Sequence, residues 1–335
     1  MKAAFVFPGQ GSQFVGMGKD LFDNFEVSRE VFQRVDTETC ENISGLCFNG
    51  PIEELSNTKH CQLAVLAASL ACLRSFESQT GILPCFVAGH SLGEYTAMVC
   101  ADALDMDDAF RIVQKRAMFM HQASIEYPGG MVAVLGLEKE AAAMVCQRAM
   151  AETNGVLEIA NLNCPGQIVL TGTNEAIDKG MELCKETGAK RVVRLAVSGG
   201  FHSSLMNKAS EQLQQVLDGV QIREKNNSRG DAENAEGLQQ MLNGVQIRNA
   251  VCPVVVNVDA LPRKAGNELR DCLVKQVNHS VLWEASVKYM IEQGVDTFIE
   301  IGPGKVLSGL IKRIDAGVKV FSVSDVNGIE AVSSI

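Results

Sequence analysis

The 335-residue sequence predicts an α/β fold, with a main domain built on a parallel sheet and a smaller module inserted in it. Two observations predict this. Short apolar runs end in glycine turns that open into helical segments, the strand–turn–helix unit of α/β proteins. Between residues 129 and 197 the elements instead follow the order βαββαβ, that of a ferredoxin-like module. The length supports the division, because it exceeds what one simple core usually needs.

The elements follow in order. Residues 3–7 form an apolar run closed by Pro8-Gly9, a buried strand opening into a glycine-rich loop. Residues 61–73 carry good helix formers throughout and predict a buried helix. Residues 85–88 predict a second strand, ended by Gly89-His90-Ser91-Leu92-Gly93, and 94–101 a helix. The inserted module reads as strand 131–137, helix 139–152, strands 156–161 and 167–171, helix 174–187 and strand 191–197. Beyond it, 205–217 is helical, 254–258 is a β-branched strand, and 267–278 and 286–293 are helices. Strand 297–301, Gly302-Pro303-Gly304 and a helix from Lys305 complete the sheet. The expected domains are therefore 1–127 with 198–335, and 128–197.

One repeat interrupts this order. Residues 213–223 (LQQVLDGVQIR) recur as residues 238–248 (LQQMLNGVQIR). Two copies are too few for a solenoid, so a local tandem duplication explains them better. The duplicated stretch, 219–244, is expected to be a surface insertion. Its segment 224–236, charged and rich in Asn, is expected to be a mobile, solvated loop.

Charge and cysteine usage narrow the function. A formal net charge of −10 repels nucleic acid and anionic membrane alike. The 11 cysteines include no CxxC, and an odd count in a long chain is no disulfide framework. Reduced thiols and a cytoplasmic protein are expected. The N-terminal apolar run is too short for an export signal and ends in Pro-Gly. No stretch approaches the roughly 18 apolar residues of a membrane span.

The chemistry centres on Ser91. Gly89-His90-Ser91-Leu92-Gly93 fits G-x-S-x-G, whose glycines permit a tight strand-to-helix turn that lifts the hydroxyl clear of the sheet. The main domain is expected to be α/β-hydrolase-like, and the N–H of Leu92 can stabilise a developing oxyanion. The plain alternative is an ordinary glycine turn. A serine hydroxyl needs a base, and the histidines are His60, His90, His121, His202 and His279. His202, in a glycine-rich turn after a strand, is favoured over His279. Gln10 in the first loop could give a second oxyanion N–H. Lys305 after Gly302-Pro303-Gly304 lacks the spacing of a nucleotide-binding loop, which excludes nucleotide hydrolysis.

The motifs together resemble one family. FPGQGSQ at 7–13, GHSLGEY at 89–95, Gln114–Arg116 with Met118, GFHSSLM at 200–206, PVVVNVDA at 253–260 and EIGPGKVL at 300–307 are similar, in this order, to the malonyl-CoA:acyl carrier protein transacylases. These are acyltransferases of fatty acid and polyketide synthesis, and the resemblance runs from Met1 to about Asp325. It implies Ser91 as nucleophile and His202 as base, in a dyad whose imidazole is oriented by a backbone carbonyl at Gln276. It implies the N–H groups of Gln10 and Leu92 as oxyanion hole and Arg116 as partner of the malonyl carboxylate. Phe201 goes with malonyl rather than methyl-branched units. The implied partners are malonyl-CoA and acyl carrier protein; no metal and no cofactor are needed, and a monomer is expected. An acidic carrier needs a local basic patch on an acidic enzyme. Lys190, Arg191 and Arg194, with Lys185, are the first candidates; Lys305, Lys312 and Arg313 are the second. The departure from the family pattern is the duplicated segment.

Two rivals remain at this point. A serine esterase or thioesterase shares the elbow but brings an acidic triad member and needs no arginine. A non-catalytic acyl-binding module would not need Ser91, His202 and Arg116 together.

Overall fold

The computed structural model describes residues 1–197, 199–219 and 245–333. The duplicated stretch 219–244, apart from Gly219, and the expected loop 224–236 lie outside them. The chain runs β1 (Ala3–Phe7), α1 (Lys19–Asn24), α2 (Glu26–Thr39), α3 (Ile43–Asn49), α4 (Ile52–Leu55), α5 (Thr58–Gln79), β2 (Phe86–Gly89), α6 (Gly93–Cys100) and α7 (Met106–Glu126). The inserted region follows as β3 (Gly129–Leu135), α8 (Lys139–Thr153), β4 (Leu157–Cys164), β5 (Gln167–Thr173), α9 (Asn174–Glu186) and β6 (Arg191–Arg194). The chain then returns through α10 (Asn207–Leu217), β7 (Val254–Val255), β8 (Pro262–Arg263), α11 (Gly266–Gln276), α12 (Trp283–Glu292), β9 (Thr297–Ile301), α13 (Val306–Ile314), β10 (Lys319–Val323) and α14 (Val326–Ser333).

The first sheet has the order β10-β9-β1-β2-β7-β8 and is parallel except at β7–β8. Strand β1 lies inside it and all five of its residues are buried, which is why Ala-Ala-Phe-Val-Phe is continuously apolar rather than alternating. Helix α5 packs between α2 and α7 and buries every residue from Cys61 to Leu73. A helix that is apolar on all sides belongs inside.

The second sheet has the order β4-β5-β3-β6 and is antiparallel throughout. Helices α8 and α9 cover one face, packing Val145, Ile177 and Leu183 with Val132, Val134, Leu157 and Leu170 of the strands. From its other face Met131, Ala160 and Val169 enter the core of the first sheet. The second sheet is therefore seated on the main core.

Two strands are shorter than expected. Strand β6 stops at Arg194; Leu195 still donates its N–H to the Met131 carbonyl at 2.9 Å, and the side chains of Leu195 and Val197 line a pocket. Strand β7 holds only Val254 and Val255, because the chain turns back at Val256, which pairs with Ala260 and Leu261. The loop after β9 is also explained. The buried carboxyl of Glu300 accepts the N–H groups of Leu307 at 3.0 Å and Ser308 at 2.7 Å. The helix N-terminus that a phosphate would need is already filled from within.

Candidate active site

The site grows from the turn between β2 and α6. A Cβ on Gly89 would lie 1.8 Å from the carbonyl carbon of Gly93, and one on Gly93 would lie 2.1 Å from the oxygen of Phe7. Backbone thus packs directly on backbone, and only glycine fits. The turn forces Ser91 to φ 51°, a left-handed conformation that costs a non-glycine residue free energy. Asn257, just past β7, holds it there. Its Oδ1 accepts the Ser91 N–H and its Nδ2 donates to the Gly89 carbonyl, both at 2.7 Å.

His202 meets this serine. Its Nε2 is 2.8 Å from Ser91 Oγ, and its Nδ1 is 2.8 Å from the backbone oxygen of Gln276. A carbonyl can only accept, so Nδ1 carries the proton and Nε2 is the free acceptor facing the hydroxyl. Burial first, and then the positive charge of Arg116, push His202 down from 6.5 to about 3. The imidazole is therefore neutral at physiological pH. No carboxylate touches it among the described residues, which removes the acidic triad member an esterase would bring.

Arg116, on α7, is 2% exposed. Its Nη2 donates to Ser91 Oγ at 3.1 Å and to Gln276 Oε1 at 2.8 Å, and its Nη1 to Gln62 Oε1. Its Nε has no partner among the described residues. The guanidinium lies over the ring of Tyr95, 5.7 Å from its centroid. A buried guanidinium held by neutral amides, with donor capacity left beside a serine hydroxyl, is suited to an anionic group on the substrate. Glu94 lies behind it. Burial raises its carboxyl to about 8, against the N–H of Asn257, the Gln276 amide and the charge of Arg116.

A cavity of about 120 Å³ opens over these groups. Gln10, Gln62, His90, Ser91, Leu92, Arg116, Met120, Phe201 and His202 of the main domain line it, with Met131, Asn161, Leu195 and Val197 of the inserted region. The backbone N–H groups of Gln10 and Leu92 donate to no acceptor among the described residues. His90 points away from the serine to Asn163 Oδ1 at 2.9 Å and is also pushed down by burial.

The sequence candidates sort cleanly by position. Ser91, His202, Arg116, Gln10, Leu92, Gln276 and Phe201 come together. His279 is exposed and bonded to Lys275 and Asn278, and His60 faces Glu41 and Glu54, so neither reaches the serine. Lys190 and Arg191 are exposed at one end of β6, whereas Arg194 is paired with Asp178 at 3.1 Å. Gln62, Glu94, Asn161 and Asn257 are site residues for which the sequence reading had no role. Glu94 and Asn257 sit inside the quoted motifs GHSLGEY and PVVVNVDA, which was the available signal. Nothing near Gln62 or Asn161 marks them.

Comparison with known proteins bears on this geometry. Residues 4–319 match the family model described as "Acyl transferase domain". The chain is 42% identical over 329 residues to a malonyl CoA-acyl carrier protein transacylase of Bacillus subtilis (strain 168), covering 98% of this chain and 95% of that one. It superposes on an acyl-carrier-protein S-malonyltransferase of Burkholderia pseudomallei with a TM-score of 0.89 at 38% identity, over 100% of both chains. It superposes equally, with a TM-score of 0.89 at 35% identity, on a malonyl-transacylase solved in complex with a type II PKS acyl-carrier protein, over 100% of this chain and 99% of that one.

Proposed function

Because this chain belongs to the acyl transferase family, we propose that it moves a malonyl group from malonyl-CoA to the phosphopantetheine thiol of acyl carrier protein through an ester on Ser91, supplying fatty acid synthesis. One observation carries the assignment of residues. The hydroxyl oxygen of Ser91 lies 2.8 Å from a neutral imidazole nitrogen and 3.1 Å from a buried guanidinium.

The reaction divides into two matching halves. Ser91 Oγ attacks the thioester carbonyl carbon and its proton passes to Nε2 of His202. The Nδ1–H stays on the Gln276 carbonyl and fixes the tautomer. The N–H groups of Gln10 and Leu92 receive the oxyanion. The intermediate collapses, the carbon–sulfur bond breaks, and the departing coenzyme A sulfur takes the proton from His202. The carrier thiol then attacks the acyl-serine by the same steps in reverse. Arg116 pairs with the malonyl carboxylate throughout. Phe201, on the cavity wall, crowds a 2-methyl group and favours malonyl over methylmalonyl units.

Further readings rest on the same frame. We take the main domain, 1–127 with 198–335, as α/β-hydrolase-like because its serine stands on a strand–elbow–helix unit of a parallel sheet. We take 128–197 as ferredoxin-like because βαββαβ strands pair in the order second-third-first-fourth. The exposed Lys190 and Arg191, with Lys185 and the half-committed Arg194, are our candidates for carrier docking. The second cluster is the weaker one, since Lys312 donates to Val318 and Arg313 to Gln167. All reacting groups come from one chain, so a monomer suffices. No described helix is long and apolar enough to cross a membrane; we place the enzyme in the cytoplasm.

The test is the fate of the acyl group. With malonyl-CoA and holo carrier protein, malonyl-carrier should form far faster than free malonate. Malonate as the dominant product would favour the esterase reading.

A further inference from the structure

Glu94 is a buried titratable group that the reaction above does not use. It stands on the first turn of α6 and is 1% exposed. Its Oε1 accepts the backbone N–H of Asn257 at 2.7 Å, and its Oε2 accepts the side-chain Nε2 of Gln276. Both partners reach onward to the reacting end of the site.

The Gln276 amide could in principle sit either way round. Here its Nε2 faces two acceptors, the Ser91 carbonyl at 2.6 Å and Glu94, while its Oε1 accepts from Arg116 Nη2 at 2.8 Å. Reversing it would set oxygen against oxygen on one side and N–H against a guanidinium on the other. The Ser91 carbonyl and Glu94 together therefore decide which atom of the amide Arg116 meets. With Gln62 Oε1 holding Nη1, two amide oxygens from α5 and α11 fix the plane of the guanidinium.

We propose that Glu94 is a positioning residue that orients Arg116 toward the acyl pocket by locking the Gln276 side-chain amide, and so sets the preference for acyl groups ending in a carboxylate. This rests on Arg116 being the partner of that carboxylate. The competing account is that Glu94 merely ties α6 to the chain after β7. That account predicts equal losses for every acyl group, because it would disturb the serine and not the arginine.

The test measures acylation of the full chain by malonyl-CoA and by acetyl-CoA in single turnovers. In Glu94→Gln the new amide nitrogen cannot accept, so it must oppose either the Asn257 N–H or the Gln276 Nε2. The ratio of malonyl to acetyl rates should fall on the order of tenfold, the scale of one hydrogen bond to a charged group. Gln276→Met should lower the ratio similarly, and the double variant should fall no further than Gln276→Met alone, since the two act in series. Equal slowing of both substrates in Glu94→Gln, or additive losses in the double variant, would overturn the proposal. If Glu94→Gln does not fold, Gln276→Met carries the test, and an unchanged ratio there overturns it. Arg116→Ala runs in parallel. A collapsed ratio in that variant with an intact ratio in Glu94→Gln rejects only the role of Glu94. An unchanged ratio in Arg116→Ala rejects the assignment of the arginine itself, and the proposal with it.

Discussion

The two sides of the pocket are built on different physics. On the side of the parallel sheet, Ser91, Arg116, His202 and Gln276 each make at least two hydrogen bonds, many of them buried, and Asn257 and Glu94 brace them from behind. On the side of the antiparallel sheet, Met131, Leu195 and Val197 present mostly apolar surface, with Asn161 the polar exception among the lining residues from that region. A hydrogen-bonded group has one productive geometry, and losing its partner leaves a buried polar atom unsatisfied. An apolar wall tolerates change so long as volume is kept. Chemistry should therefore fail steeply on the first side, while changes on the inserted region should alter how partners bind.

The steepest loss lies in the base. His202→Ala should slow acylation by malonyl-CoA roughly 10²- to 10⁴-fold, the span of a lost general base. Were His279→Ala to do this and His202→Ala not, the comparison of the two sides would lose its centre. The same residue sets a pH signature. With His202 pushed to about 3, kcat/KM should show no limb at the ordinary imidazole value of about 6.5 as pH falls toward about 5. A limb near pH 6.5 would show that the imidazole is not buried beside a charge. The stability consequence has the same sign. The unfolded chain takes this proton near 6.5 and the fold resists it until about 3, so the contribution of His202 holds above 6.5 and is lost as pH falls through that window.

Next comes the arginine. Arg116→Ala should weaken malonyl transfer by about 2–5 kcal/mol, because a carboxylate would be left buried and unpaired. Acetyl transfer, which has no carboxylate to pair, should change little. Competition between malonyl-CoA and acetyl-CoA reads this directly, and equal kcat/KM for the two in the unmodified enzyme would remove Arg116 from its role.

The smallest effect is expected on the inserted region. Lys190→Glu with Arg191→Glu should raise KM for carrier protein more than it slows acylation by malonyl-CoA, since rim charges act mainly on encounter. Unchanged carrier kinetics would make these residues an ordinary solvated face.

The contrast between the two sides also explains what the sequence could reveal. The elbow was readable because its backbone approaches admit only glycine, which leaves a pattern of fixed spacing around Ser91. The helices and strands of 129–194 were readable from periodicity, with ends shifted by a few residues. His202 was preferred over His279 only narrowly, because the 2.8 Å approach to Ser91 joins positions 111 residues apart and no local pattern encodes it. Helix α7 was not predicted, since Arg116 interrupts the apolar stripe formed by Ile112, Val113, Ala117 and Met120. Strand β10 and helix α14 were missed because their mixed, half-buried residues carry no clear period. Gln62 was invisible for a different reason. It is one polar residue in a buried helix, and only the arginine brought against it gives it a purpose.

The central claim is that Ser91 carries the acyl group, and the intact mass of the protein after mixing with malonyl-CoA tests it most directly. The unmodified chain should gain the mass of one malonyl group, mapped to the peptide holding Ser91 and lost when holo carrier protein is added, while Ser91→Ala should gain nothing. An adduct of undiminished yield on Ser91→Ala protein would contradict the account.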